Sequence, residues 1–397
     1  MRVPAGRPLL TYGNRLATGL RGLDALYRRE SGDPDGLVVL DMAAPDERVG
    51  QRFDDYAAAR SWFMEMRAEA RALIEPDRRL YGDQVSASAL AFIAWRAGGL
   101  DFTAQLHGFL HVPAEPVSVA AIDAICAQLH TRLNEAGCHG DLARQCARWE
   151  ERQRVPPADV PGMLQALLDE AWDRTCETLV EIPAPRSDGM RVATVSGAVY
   201  NARCDYRSRT IELNIDPVLT RPALRHLAAH EGYPGHYVQF KLRETMVRDG
   251  VASADALLSV VNTASSSVFE GIADAGMRMA AWWEEPDDEI QFLLSRHRAA
   301  IATRAAWMLH AEQRTSAAVM DWLREASLVG GEGWAANRMR FIVAPARAVL
   351  IWSYWHGEPA VSTIWERTPD ARRAAFLHFL YGRMHSSQSL ALFDGGA

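Results

Sequence analysis

Residues 230–236 read HEGYPGH. A zinc-protease helix usually carries H-E-x-x-H, two histidines one turn apart on one face, with a glutamate beside the first. Here Pro234 stands four residues after His230, and the next histidine, His236, comes six after. On a regular helix each residue advances about 100°, so residues six apart end about 240° apart around the axis and cannot share a ligand. The segment is not regular, however. Proline brings no amide to the helical ladder and clashes with the carbonyl four residues back. Gly232 and Gly235 admit dihedrals that other residues avoid. A bulge of two extra residues brings His236 to the place that i+4 normally takes. Taken alone, the seven residues fit either a metal site on a deformed helix or a helix end with an ordinary turn.

Residues further along decide between the two. PALRHLAAHE, 222–231, reads as helix with Pro222 in its first turn, which puts His226 and His230 one turn apart. Downstream, in SSSVFEGIADAG (265–276), Glu270 and Asp274 are four apart and share a helix face. Small and apolar neighbours (Ala264, Val268, Phe269, Ile272, Ala273) place Glu270 on a buried face. A buried carboxylate needs a partner, and a metal is one. His230, His236 and Glu270 then form a His2Glu set for one zinc ion, with a position left for water. Asp274 is placed to accept the second ring N–H of a ligating histidine and fix its tautomer. Glu231 is the candidate general base for the metal-activated water.

A hydrolase also needs a donor for the developing oxyanion. Tyr354 is the first candidate, His356 the second, and His378 and His385 are weaker ones. Arg338, Arg340 and Arg347 precede Tyr354, and one of them can clamp a substrate carboxylate. Tyr233 is expected to line the pocket.

These motifs carry a resemblance. H-E-x-x-P-G-H at 230–236, E-G at Glu270-Gly271, and Y-x-x-G at Tyr354 and Gly357 are similar to those of the bacterial "domain of unknown function 885" proteins. Those proteins resemble zincin metallopeptidases of the glutamate-zincin kind. The resemblance spans roughly residues 190 to 390. It implies that His230, His236 and Glu270 bind zinc and that Glu231 is the general base. Members of the family are usually longer and often carry an export signal. The segment before Tyr354 lacks the Gly-Gln that usually precedes the tyrosine, and His385 stands where proline is usual. These departures leave the metal set intact and bear on substrate specificity.

The rest of the chain is consistent with a helical enzyme. The 397 residues are 48% hydrophobic and 23% charged, enough for one large domain or two intimate ones. Net charge is −7 with scattered Lys and Arg, so nucleic acid is not an expected partner. No apolar run reaches the length of a membrane span, and residues 1–23 lack a signal-peptide core. Five cysteines without a C-x-x-C pair suit a reducing compartment, and the expected location is cytoplasmic.

Helical periodicity is expected over 52–75, 117–137 (ending on Gly137) and 158–182, with breaks near Pro286, Gly330-Gly331 and Gly357. Between 190 and 216, short β-branched runs read as two or three antiparallel strands. The expected fold is therefore mainly α. A helical region, 1–185, joins a zincin-like region, 186–397, in one compact unit, with one small antiparallel sheet before the His-Glu helix.

The expected function is zinc-dependent hydrolysis of a short peptide or small amide. Two rivals are a non-catalytic metal- or ligand-binding protein on the same fold and a tailoring enzyme acting on one small amide. A helical di-iron oxidase needs Glu-x-x-His pairs, and no Glu in the chain has a His three residues on.

Overall fold

Helix forms wherever the sequence supplies a cap and an apolar stripe. The computed structural model describes residues 7–198, 200–344 and 346–394, and the chain is mainly α. The first six residues of the N-terminal stretch read for a leader lie outside the described residues. Asp55 caps the helix Tyr56–Ala70 by accepting from the Ala58 amide. Pro76, expected to end a helix reaching 75, instead opens the next one, Pro76–Arg96. Ser118 caps Val119–Glu135, and Gly137, at φ +75°, takes the left-handed position that terminates it.

The strands are β1 (Val38–Asp41), β2 (Arg191–Val195), β3 (Ala202–Asp205), β4 (Thr210–Asn214) and β5 (Leu258–Val260). β2, β4 and β3 form the sheet expected before the His-Glu helix, in that order. β3 and β4 pair antiparallel through a turn at 206–209, whereas β2 pairs parallel with β4. The sheet is thus mixed. Two chain reversals separate β2 from β4, so a strand on the far side of the hairpin must run parallel to it. Ile211 and Leu213 of β4 are fully buried, as their alternation requires. Asn214 is buried too, its amide donating to the Ala198 carbonyl. β1 and β5 make a second, two-stranded antiparallel sheet from distant segments, which no local pattern announces.

The helices that carry the site are α1 (Val160–Thr178), α2 (Arg221–Leu227), α3 (His236–Arg248), α4 (Ser266–Met279), α5 (Asp287–His310), α6 (Gly331–Val343) and α7 (Ile351–Arg367). The chain divides into two compact units, each drawing on residues before and after 185. One comprises 1–114, 239–271 and 356–397; the other 115–238 and 272–355. The divisions at 271 and 355 fall inside the continuous helices α4 and α7. In the first unit the buried Leu16, Phe63, Phe92 and Phe109 are core, and Arg78 and Asp255 form a buried ion pair at 2.8 Å. In the second, Leu129, Leu133, Trp149, Ile290 and Leu294 share one apolar cluster. Among the described residues, no helix is long and apolar enough to cross a membrane.

Candidate metal centre

Thr220 caps α2 by accepting from the Ala223 amide, and Pro222 occupies its first turn, as the sequence reading has it. The helix then widens to a π-type turn over Ala228–Gly232. At Tyr233 the backbone is extended (φ −130°, ψ 119°), the Tyr233–Pro234 peptide is cis, and α3 begins at His236. The expected two-residue bulge inside one helix is therefore replaced by two helices. Pro234 cannot supply the ladder amide, so the chain leaves the helix and starts another with His236 at its head.

Gly235 seals this corner. Its amide donates to the Ala229 carbonyl at 2.9 Å, and a Cβ there would lie 1.9 Å from the His230 carbonyl oxygen. Only glycine lets the backbone come so close. Pro234 lies against Gly276 of α4, where an added Cβ would meet its ring at 3.0 Å. Tyr233, expected beside the pocket, is held by the fold itself. It is buried, packs edge-on against Trp172 of α1, and its hydroxyl accepts from the Met190 amide at 2.6 Å.

The result is convergence. The His230 and His236 rings meet edge to face with centroids 4.7 Å apart. The ligand atoms of His230, His236 and Glu270 all lie within 4.8 Å of one another. His226, His230 and Asp274 make a second such group that shares His230. The hydrogen bond from His230 Nδ1 to Asp274 Oδ1, 2.8 Å long, chooses between them. An ionised carboxylate only accepts, so Nδ1 carries the proton and Nε2 keeps its lone pair for a metal. His226 is 3.6 Å from the same Asp274 oxygen. Burial depresses His226 to about 4, although Asp274 pulls it upward. Burial raises the Asp274 carboxyl, but His230, His226 and Arg296 together hold it below the usual range.

Glu231 is buried and turned toward the small sheet, where its Oε2 accepts from the Cys204 amide of β3 at 2.9 Å. The strand next to the motif thus orients the carboxylate. Burial first, and the neighbouring Glu231 second, push the Cys204 thiol well up, which keeps it protonated and inert. All five cysteines are free.

The glycines of the two shorter motifs have a shared cause. A Cβ on Gly271 would lie 2.1 Å from the Gly357 carbonyl oxygen, and one on Gly357 2.4 Å from the Ser267 carbonyl oxygen. α4 and α7 therefore cross backbone to backbone, one residue from Glu270 and three from Tyr354. Gly357 is no helix break, contrary to expectation: α7 runs through it to Arg367. Tyr354 and His356 both lie on α7, two residues apart.

Arg296 of α5, which no sequence pattern marked, donates to the Trp355 carbonyl at 2.7 Å and stacks 4.0 Å from its ring. The other candidates scatter. His385 is a core histidine, bonded through Nε2 to the Phe379 carbonyl at 2.9 Å, and His378 is exposed. Arg340 is exposed and spent on Asn337, whereas Arg338 and Arg347 are half-buried.

No protein-family model matches the chain, and no curated protein does. Two solved structures share the fold at sequence identities too low to say more. One is described as "the putative lipoprotein from Colwellia psychrerythraea" (11% identity, TM-score 0.57), covering 85% of this chain and 68% of its own. The other is described as "a putative lipoprotein of unknown function from Shewanella oneidensis" (13% identity, TM-score 0.53), covering 84% and 70%.

Proposed function

We propose that this chain is a zinc-dependent hydrolase of short peptides or small amides, of the glutamate-zincin kind that its motifs resemble. The observation that carries the reading is the convergence of His230, His236 and Glu270, with Asp274 committing the other nitrogen of His230. Two neutral imidazoles and one carboxylate are a donor set suited to zinc, and the hydrogen-bonded partner on the far side of His230 fits that role. Bound there, zinc supplies Lewis acidity and lowers the pKa of a ligated water.

The protein's own groups do the rest. Glu231, adjacent in sequence to one ligand and oriented by the Cys204 amide at its Oε2, takes the proton of the attacking water. It then hands that proton to the leaving amine. Tyr354 donates its phenol hydrogen to the oxygen that gains charge as the carbonyl carbon turns tetrahedral. Asp274 and Arg296 hold the ligand geometry.

A reducing, cytoplasmic location belongs to the same reading, supported by five free cysteines. The description of the two structural neighbours as lipoproteins argues for the other side of a membrane, and cell fractionation separates the two.

The test is elemental analysis of the purified protein together with a peptide-library digest. The reading expects about one zinc per chain and cleavage that a chelator abolishes and zinc restores. A wild type that holds no metal even after zinc addition would sink it. Stoichiometric metal without cleavage of any amide would favour a binding protein instead.

A further inference from the structure

Of the buried arginines among the described residues, Arg78 and Arg225 have acidic partners and Arg243 donates to the Gln239 side-chain oxygen at 3.3 Å. Arg78 has Asp255 at 2.8 Å, and Arg225 has Glu284 and, at 3.3 Å, Asp288. Arg298 of α5 and Arg338 of α6 are different. Among the described residues neither donates a hydrogen bond nor forms an ion pair, and the Nε of each is buried and unsatisfied.

Yet they stand together. The guanidinium carbons lie 6.0 and 5.8 Å from the centre of the Trp334 ring, and Arg338 also covers Phe341 at 5.6 Å. Burial lowers both guanidinium pKa values, and the charge of Arg338 lowers that of Arg298 further. An arginine does not shed its proton under these conditions. The acidic group that acts on Arg298 is Glu150, itself raised by burial and beyond ion-pair distance. The adjacent His297 is held neutral, burial taking it down to about 4. Two fixed positive charges against one carboxylate leave one charge uncompensated in a half-buried place. The faces of Trp334 and Phe341 offset part of that cost, and a bound anion would offset the rest.

We infer that Arg298 and Arg338, with Trp334 as their floor, form a binding site for one carboxylate group of a small ligand. A single excess positive charge matches a monoanion better than a phosphate dianion, and two guanidinium forks suit a planar carboxylate. Tyr354, the candidate oxyanion donor, raises the Arg338 pKa against burial, and Arg296, two residues before Arg298, donates to the Tyr354 and Trp355 carbonyls at 3.4 and 2.7 Å. The ligand is accordingly the substrate of the metal centre, an amide bearing a free carboxylate. That last identification rests on the hydrolase reading; the anion site does not.

The test is calorimetric titration of the full chain with N-acetylalanine, its amide, and inorganic phosphate, before and after chelator treatment. Wild type is expected to bind the acid at least about tenfold more tightly than the amide, and R298Q and R338Q each to lose that preference. R338K, which keeps the charge without the fork, should retain part of it. Without ligand, the glutamine variants should melt no lower than wild type, because a like-charge contact is relieved; a structural role predicts the opposite.

Equal binding of acid and amide, or binding of neither, overturns the proposal. So does an acid preference that survives both glutamine substitutions. Phosphate binding tighter than the acid overturns the carboxylate assignment. An acid preference that persists when no chelator-sensitive cleavage exists removes the hydrolase reading and keeps this one. Cleavage without an acid preference does the reverse.

Discussion

Two histidines, one half-buried and one buried, show how far the partner of a ring nitrogen bears on its role. His230, in the HEGYPGH corner, and His385, near the C-terminus, are each hydrogen-bonded at one ring nitrogen. For His230 the partner is Asp274 at 2.8 Å; for His385 it is the Phe379 carbonyl at 2.9 Å. What differs is the second nitrogen. That of His230 belongs to a group with His236 and Glu270, whereas that of His385 faces the Ser389 hydroxyl at 3.4 Å. One side chain is left with a basic lone pair among other donors, and the other is closed into a self-contained turn. Either a carboxylate or a carbonyl can fix a histidine's tautomer; what separates the two is the company of the second nitrogen.

The comparison breaks most visibly at turnover. Replacing Glu231 by Gln should keep the metal and lower hydrolysis by about 10²–10⁴, the range for loss of a general base. His385→Gln should leave turnover per folded molecule unchanged. Metal content and steady-state rates on the same preparations check both, and a rate loss in the His385 variant would erase the distinction.

A second contrast lies in acid stability. Burial takes the His385 pKa down to about 4 from an ordinary 6.5. Its neutral form is therefore favoured by folding. This contribution is complete above about pH 6.5 and is lost as the pH falls toward 4, when the unfolded chain takes up a proton that the native state refuses. The loss amounts to at most ~3 kcal/mol. Chemical denaturation at several pH values should show a flatter profile for His385→Gln than for wild type between pH 6.5 and 4.5.

Next comes the orienting carboxylate. Asp274→Asn should weaken zinc binding by about 10–100-fold, the usual cost of losing such a partner. Competition with a chromophoric chelator measures it, and unchanged affinity would mean that His230 needs no help.

The smallest effects concern glycines in the two regions. Gly→Ala within a helix normally stabilises by up to ~1 kcal/mol. At Gly271 the added methyl meets the Gly357 backbone, so Gly271→Ala should instead destabilise by ~1–3 kcal/mol. At Gly382 the nearest atom is the flexible tip of Met246, at 3.1 Å, and Gly382→Ala should stay within ~0.5 kcal/mol. Melting curves of the two variants decide whether the helix crossing is as tight as its geometry.

Much of this molecule was legible in one dimension because the responsible physics is local. Pro222 in a first helical turn, the left-handed Gly137, the alternation of Ile211 and Leu213, and the four-residue spacing of Glu270 and Asp274 each depend on a few neighbouring residues. So does the irregularity of HEGYPGH. How that irregularity resolves is another matter. Proline forbids the ladder, but it does not say whether the chain bulges or starts afresh. The close seat of Gly235 on the His230 carbonyl and the packing of Pro234 on Gly276 select the second outcome.

Gly357 looked like a helix break for the same reason. Glycine weakens an isolated helix, whereas here its missing side chain admits α4. The parallel pairing of β2, the β1–β5 sheet, and the roles of Arg296 and Arg298 left no local mark at all. By itself, then, the sequence determined which segments are helical and which residues have the chemistry of a metal site. Only the tertiary structure decided which nitrogen of His230 bonds Asp274, what holds Glu231, and which of the described arginines lack an ion pair. Those are properties of distances across tens to hundreds of residues, and no periodicity along the chain encodes them.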